Sequence, residues 1–171
     1  MIMKARKTVL VALFSCMALS IYALEMLIPP IVPVPGIKLG LSNVVVLVAL
    51  YILGRKEAFL VLILRIGLSF LIFGQAMSFL FSLGGGLLCF FAISLSFGFL
   101  DKSQIWAVSM LGAVFHSLGQ IIVAVAVTSQ PGVAYYFLFM LIFSLLSGLF
   151  TGLCAKYSIR FLEKKVIHNR S

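Results

Sequence analysis

The stretch Ile52–Gly74, ILGRKEAFLVLILRIGLSFLIFG, decides the reading of the fold. Charges crowd its start, an apolar run follows, and one arginine, Arg65, stands in the middle of that run. Apolar runs of this kind recur along all 171 residues; 63% of the chain is hydrophobic and its mean hydropathy is +1.25. A soluble domain has far more polar surface to cover. The chain therefore reads as an integral membrane protein, and as one domain over residues 1–171 with no linker or evident repeat.

Six apolar segments read as spans: Thr8–Ile28, Leu39–Gly54, Ala58–Gly74, Ala76–Leu100, Ile105–Thr128 and Val133–Tyr157. About 20 helical residues cross the hydrocarbon core. The second and third segments are short, which leaves a merged or re-entrant arrangement open there. The 13 Lys and Arg residues set the direction. With the N-terminus in the cytoplasm, Lys4, Arg6, Lys7, Arg55, Lys56, Lys102, Lys156, Arg160, Lys164, Lys165 and Arg170 all face that side. Lys38 alone faces outside, and Arg65 lies within a span. This is a strong positive-inside bias, which an odd number of spans would break. The expected fold is thus an all-α polytopic bundle of six transmembrane helices in the cell membrane, both termini cytoplasmic. The start of the chain also has the look of a signal peptide: Lys4, Arg6 and Lys7, then an apolar run with LFSC at Leu13–Cys16. Phe14 is bulky for a cleavage box and cleavage would spoil the charge pattern, so the segment reads as the first span.

The scarcity of acids excludes whole classes of chemistry. Only Glu25, Glu57, Asp101 and Glu163 exist. Prenyl synthases need clustered aspartates to hold magnesium on a diphosphate, and one Asp cannot do this. No GxxxxGK[ST] loop is present, so the chain does not hydrolyse ATP by itself. Cys16, Cys89 and Cys154 are isolated in apolar runs and suggest neither disulfides nor a metal site. The expectation is a protein that is not an enzyme and carries no cofactor. The net charge of +9 is explained by helix orientation rather than by nucleic acid.

Polar groups inside the spans mark the candidate site. A charge within a span is costly and generally faces a protein interior or a watery cavity. Arg65 either binds a ligand or ties helix breaks together. Glu25, Asn43 and Gln75 lie near the outer ends of their spans, and His116 and Gln120 in the middle to outer half of the fifth. The pattern suggests a polar cavity open to the outside. In WAVSMLGAVFHSLGQ, residues Ser109, Gly112, Ala113, His116, Gly119 and Gln120 form one small and polar helical stripe, a binding wall or a packing face. A metal site is not expected, since His168 in the basic tail is the only other histidine. Ala12 and Cys16 on the first span, and the GxxxG pair Gly148 and Gly152 on the last, suit close helix contact within the chain or with a partner. Gly84-Gly85-Gly86 is expected to loosen or kink the fourth helix, or to let a ligand touch backbone.

PPIVPVPGIK, residues 29–38, cannot be regular helix, because each proline fixes φ and lacks a donor. It reads as a stiff lid or rim at the cavity mouth, with Lys38 poised for an anionic group.

PGIKLGLSN, GRKEA, RIGLSFLIFG and GAVFHSLGQ together resemble the Gx transporter family, also called heptaprenyl diphosphate synthase component I. The resemblance covers nearly the whole chain. That family is similar to the S components of energy-coupling factor transporters. What the resemblance implies is a six-helix subunit that captures a small molecule from outside, beneath the loop after helix one. It would then join a transmembrane coupling protein and ATPase subunits. Two positions depart from the pattern. S components often carry an AxxxA-type docking face on helix one, where this chain has Ala12 and Cys16. The family's His motif usually continues with Asn, where this chain has Ser117. The resulting expectation is a substrate-capturing importer subunit for a small metabolite with an anionic part, linked to isoprenoid, quinone or flavin metabolism. Lys38, Arg65, Glu25, Asn43, Gln75, His116 and Gln120 would hold that ligand. The rival expectation is a membrane scaffold for a prenyl synthase or an electron-transfer assembly, with membrane lipid around either.

Overall fold

The fold is given by a computed structural model that describes residues 2–28 and 40–168, with the side chains of 5–28, 40–101 and 103–162. Lys38 and the proline stretch lie outside the described residues. Six α-helices follow one another: α1 (Ile2–Glu25), α2 (Asn43–Leu53), α3 (Arg55–Phe73), α4 (Ala76–Ser96), α5 (Ile105–Thr128) and α6 (Tyr136–His168). No β-strand is present among the described residues. Only a helix satisfies all its backbone groups within one segment in lipid, and these apolar runs take that form.

Four of the helices, α1, α4, α5 and α6, are long and apolar enough to cross a membrane, and the protein is membrane-embedded. The other two depart from the expected spans. α2 has 11 residues, about 16 Å at 1.5 Å per residue, about half a bilayer core. α3 has 19 residues but carries Arg55, Lys56, Glu57 and Arg65. The two helices meet at Gly54, whose φ of 103° closes a sharp reversal that most side chains would resist.

Contacts at one end fix how the helices alternate. Lys7 of α1 donates to Glu57 of α3 at 2.7 Å. Arg55 donates to the Phe97 carbonyl beyond α4 at 2.7 Å and lies over the Phe97 ring. Ser109 of α5 meets Thr151 of α6 at 2.9 Å. The start of α1, the α2–α3 joint, the α4–α5 joint and the later part of α6 therefore share one end of the bundle. Arg6, Lys7, Arg55, Lys56, Lys156 and Arg160 belong to these segments.

α4 runs unbroken through its glycines, from Ala76 to Ser96. They bring α5 against it. A Cβ on Gly119 would stand 2.4 Å from the Gly84 carbonyl oxygen, and one on Gly112 2.6 Å from Ile93. The GxxxG face of α6 does the same on the other side of α5. A Cβ on Gly148 would stand 2.7 Å from the Met110 Cα, and one on Gly152 2.6 Å from the Trp106 Cα. Gly148 and Gly152 thus serve a contact within the chain, one of the two uses their spacing allowed. Close backbone approach of this kind substitutes, inside a membrane, for the missing hydrophobic drive between helices.

Candidate functional site

The first turn of α2 lies inside the bundle, level with the middles of α3 and α5. Its backbone is prepared for that depth. Asn43 and Val44 donate their amides to the Gly40 and Leu41 carbonyls at 3.0 Å each, and Val45 donates to Ser42 at 3.3 Å. The turn at residues 40–42 thus satisfies amides that a helix start would leave open. Gly40 adopts φ 75°, and a Cβ there would stand 2.7 Å from the His116 ring. Both the turn and the ring require glycine at this position.

Arg65 is the largest fully buried side chain among the described residues, 2% exposed. It donates through Nη1 to Ser42 Oγ and through Nη2 to Asn43 Oδ1, the latter at 3.1 Å. Guanidinium can only donate, so the Asn43 oxygen faces Arg65 and its amide nitrogen faces α5. That nitrogen lies 3.0 Å from His116 Nδ1. Nδ1 must then accept, and in the neutral ring the proton resides on Nε2. A Cβ on Gly85 would stand 2.8 Å from the same ring, and one on Gly86 3.6 Å from Arg65. Gly85 therefore makes room for the His116 ring, while Gly84 lets α4 and α5 touch through their backbones. Glu25, 4% exposed, accepts the Gly40 amide from the end of α1, and its charge acts on Arg65. A buried guanidinium needs such a counter-charge and good geometry to offset its desolvation.

The network is not fully satisfied. Arg65 Nε, His116 Nε2 and Gln120 Oε1 are buried with no hydrogen-bond partner. Buried polar atoms are nearly always paired in folded proteins. Two donors and an acceptor left over within about one helical turn mark a place prepared for a polar group.

The expected site residues sort as follows. Asn43, Arg65 and His116 come together, Glu25 adjoins them through Gly40, and Gln120 is buried one turn beyond His116. Lys38 lies outside the described residues. Gln75 does not join: it is exposed between α3 and α4, where it accepts from Ser78 at 2.9 Å. Ala12 and Cys16 are exposed on α1. Ser117, at the position where the resemblance expects Asn, bonds Ser144 of α6. The stripe on α5 divides between two neighbours. Gly112, His116 and Gly119 face α4, while Ser109 and Ala113 face α6. Sequence reasoning missed Ser42 and the turn at Gly40. A lone serine in an apolar chain carries no signal until its partner is placed.

Two spaces adjoin this network. A small one of about 20 Å³ lies between Asn43, Val44, Ser109 and Thr151, room for a water-sized group. A groove of about 520 Å³ runs between α1, α2 and α6.

No curated protein and no solved structure matches the chain. The family model described as heptaprenyl diphosphate synthase component I matches residues 14–158, a stretch that includes Glu25, Asn43, Arg65 and His116. With the membrane-embedded helices and that match over most of its length, the chain belongs to the heptaprenyl diphosphate synthase component I family.

Proposed function

We propose that the chain is the substrate-capturing membrane subunit, S-component-like, of an energy-coupling-factor-type importer, and that it is not itself an enzyme. The single observation behind this reading is the buried Arg65–Asn43–His116 network with its unpaired Nε, Nε2 and Oε1 atoms. Intramembrane charge is generally functional, and purely structural ties satisfy their own polar groups. In this reading α2 and α3 complete a set of six spans, and both termini are cytoplasmic in the cell membrane. The clustering of basic segments at one end of the bundle supports that orientation. A transmembrane coupling protein and ATPase subunits supply the energy that the chain has no motif to provide. The exposed face of Ala12 and Cys16 is the docking candidate that remains once Gly148 and Gly152 are committed to α5.

A second reading follows from the family's description as one component of a prenyl diphosphate synthase. The chain would then be a membrane scaffold for a separate synthase or an electron-transfer assembly, and the interior network would be structural.

Native mass spectrometry of the protein purified from its own membranes separates the two. Capture predicts a bound small molecule that disappears in Arg65→Ala, together with coupling and ATPase subunits. Scaffolding predicts a stoichiometric synthase or redox partner, no bound molecule, and no effect of His116→Ala.

A further inference from the structure

We infer that the groove between α1, α2 and α6 is a binding site for an anionic phospholipid. One acyl chain lies along the groove, and the headgroup phosphate meets the basic end of the bundle. The site is separate from the polar interior and does not rest on the capture reading.

The packing order leaves the groove open. α1 packs on α2 and α3, and α6 packs on α5 and α2. α2 is therefore the floor between two helices that stand apart, and Val44, Val45 and Val48 form that floor. Met17 of α1 and Phe150 and Phe161 of α6 line the walls. All three are exposed, so the groove faces the lipid.

Its dimensions select the occupant. The groove follows α6 from Phe150 to Phe161, about 16 Å of helix. One leaflet of a hydrocarbon core about 30 Å thick is about 15 Å deep. The groove thus runs as far as one acyl layer does. Its volume is about 520 Å³, and a helix about 10 Å across takes up roughly twice that over the same length. A flexible chain fits where a partner helix does not.

Charge decides which lipid. Phe161 belongs to the later part of α6, so the groove runs out at the basic end of the bundle. Lys7 is held there by Glu57 at 2.7 Å, whereas Arg6 makes no ion pair among the described residues. Arg6 stands about three turns before Met17, and so on the groove side of α1. Its long side chain can reach the membrane surface from there. Ser158, less than one turn from Phe161, lines the wall and offers a hydroxyl to an ester oxygen. No acidic side chain lines the groove among the described residues. Basic residues beside a cleft between helices attract anionic headgroups. A zwitterionic headgroup carries its own cation and gains less.

The chain's single tryptophan, Trp106, is exposed on α5 outside the groove and serves as an internal reference. Trp106→Phe combined with Phe161→Trp moves the reporter into the groove wall. Both full-length proteins are reconstituted into phosphatidylcholine vesicles. Rising fractions of chain-brominated phosphatidylglycerol, or of chain-brominated phosphatidylcholine, are added, and quenching of tryptophan fluorescence is read. The groove reporter is expected to prefer the anionic lipid by at least about fivefold, the increment of one basic residue near the surface. Trp106 should show a clearly smaller preference. Arg6→Gln in the groove reporter, or high salt, should lower its preference to that of Trp106. Equal preference at the two reporters overturns the proposal. So does a groove preference that Arg6→Gln leaves unchanged, and so does a groove reporter that neither brominated lipid quenches. If the double variant does not fold, native mass spectrometry of the wild type and Arg6→Gln with equimolar phosphatidylglycerol and phosphatidylcholine decides. An excess of phosphatidylglycerol adducts on the wild type that Arg6→Gln loses supports the site; equal adducts on the wild type, or an excess that Arg6→Gln keeps, overturn it.

Discussion

Arg65 of α3 donates to Asn43 at the start of α2 over 3.1 Å, and the same Asn43 turns its amide to His116 of α5 at 3.0 Å. One short side chain thus joins three helices at the middle of the bundle. Its orientation follows from Arg65, which cannot accept a hydrogen bond.

Removing Arg65 strips the network of its cation. Arg65→Ala leaves the Asn43 and Ser42 oxygens and the Glu25 charge without their cation. Breaking a buried charge pair from one side costs about 3–5 kcal/mol. Thermal unfolding in detergent should register a loss of that order. Arg65→Lys should recover only part of it, since ammonium cannot present two parallel donors to Ser42 and Asn43. Equal stability of Arg65→Ala and wild type would mean that the network contributes nothing.

The glycine seam gives a prediction of sign. Alanine is the better helix former by about 1 kcal/mol. At Gly67 of α3 a Cβ meets nothing within 4 Å, so Gly67→Ala should stabilise by about that amount. At Gly119 of α5 the added Cβ would stand 2.4 Å from backbone oxygen of α4, which cannot swing aside as a side chain can. Gly119→Ala should instead destabilise, by about 1–3 kcal/mol for overpacking. Parallel melting of the two variants checks both signs. A shared sign would show that propensity, not the seam, decides.

Much of this architecture is legible before folding. Apolar runs, basic clusters and Gly74 mark most helix ends within a few residues. Arg65 announces itself because charge inside a run is expensive. His116 does so because it interrupts a stripe of small residues. What the sequence hides is pairing. The same periodicity that lines up Ser109 with His116 cannot say that one faces α6 and the other α4. The triple glycine reads as a flaw in α4 because its use depends on a helix some 30 residues away. Gln75 shows the same limit: its position at a span end is legible, but only the turn into α4 shows that Ser78 engages it.

Gly40 carries two separate requirements, and single variants can separate them. Gly40→Ala forces a side chain into the left-handed region at φ 75° and against His116 at 2.7 Å. Strained backbone of this kind costs about 1–3 kcal/mol. In Gly40→Ala combined with His116→Ala the clash with the ring is gone, and the strain and a tight 3.0 Å contact with Asn43 remain. The double variant should therefore be more stable than the sum of the two single losses predicts. Additive losses, measured as unfolding in detergent, would show that the ring does not depend on Gly40.

Lys7 Nζ donates to Glu57 at 2.7 Å and ties α1 to α3. That hydrogen bond, foremost among several causes, holds the Glu57 carboxyl below its ordinary value of 4.5. A depressed carboxylate stabilises the fold above its unfolded value, and the contribution is lost as pH falls through the folded one. The pair is partly exposed, so the effect is small, about 0.2–1 kcal/mol at low salt and less at high salt. Wild type should exceed Glu57→Gln in melting temperature by a constant margin from neutral pH down to about 5. The margin should close as pH falls below 4.5, and it should shrink when salt is raised at neutral pH. A margin that persists into strong acid, or that ignores salt, would assign the loss in Glu57→Gln to packing rather than to the charge on Lys7.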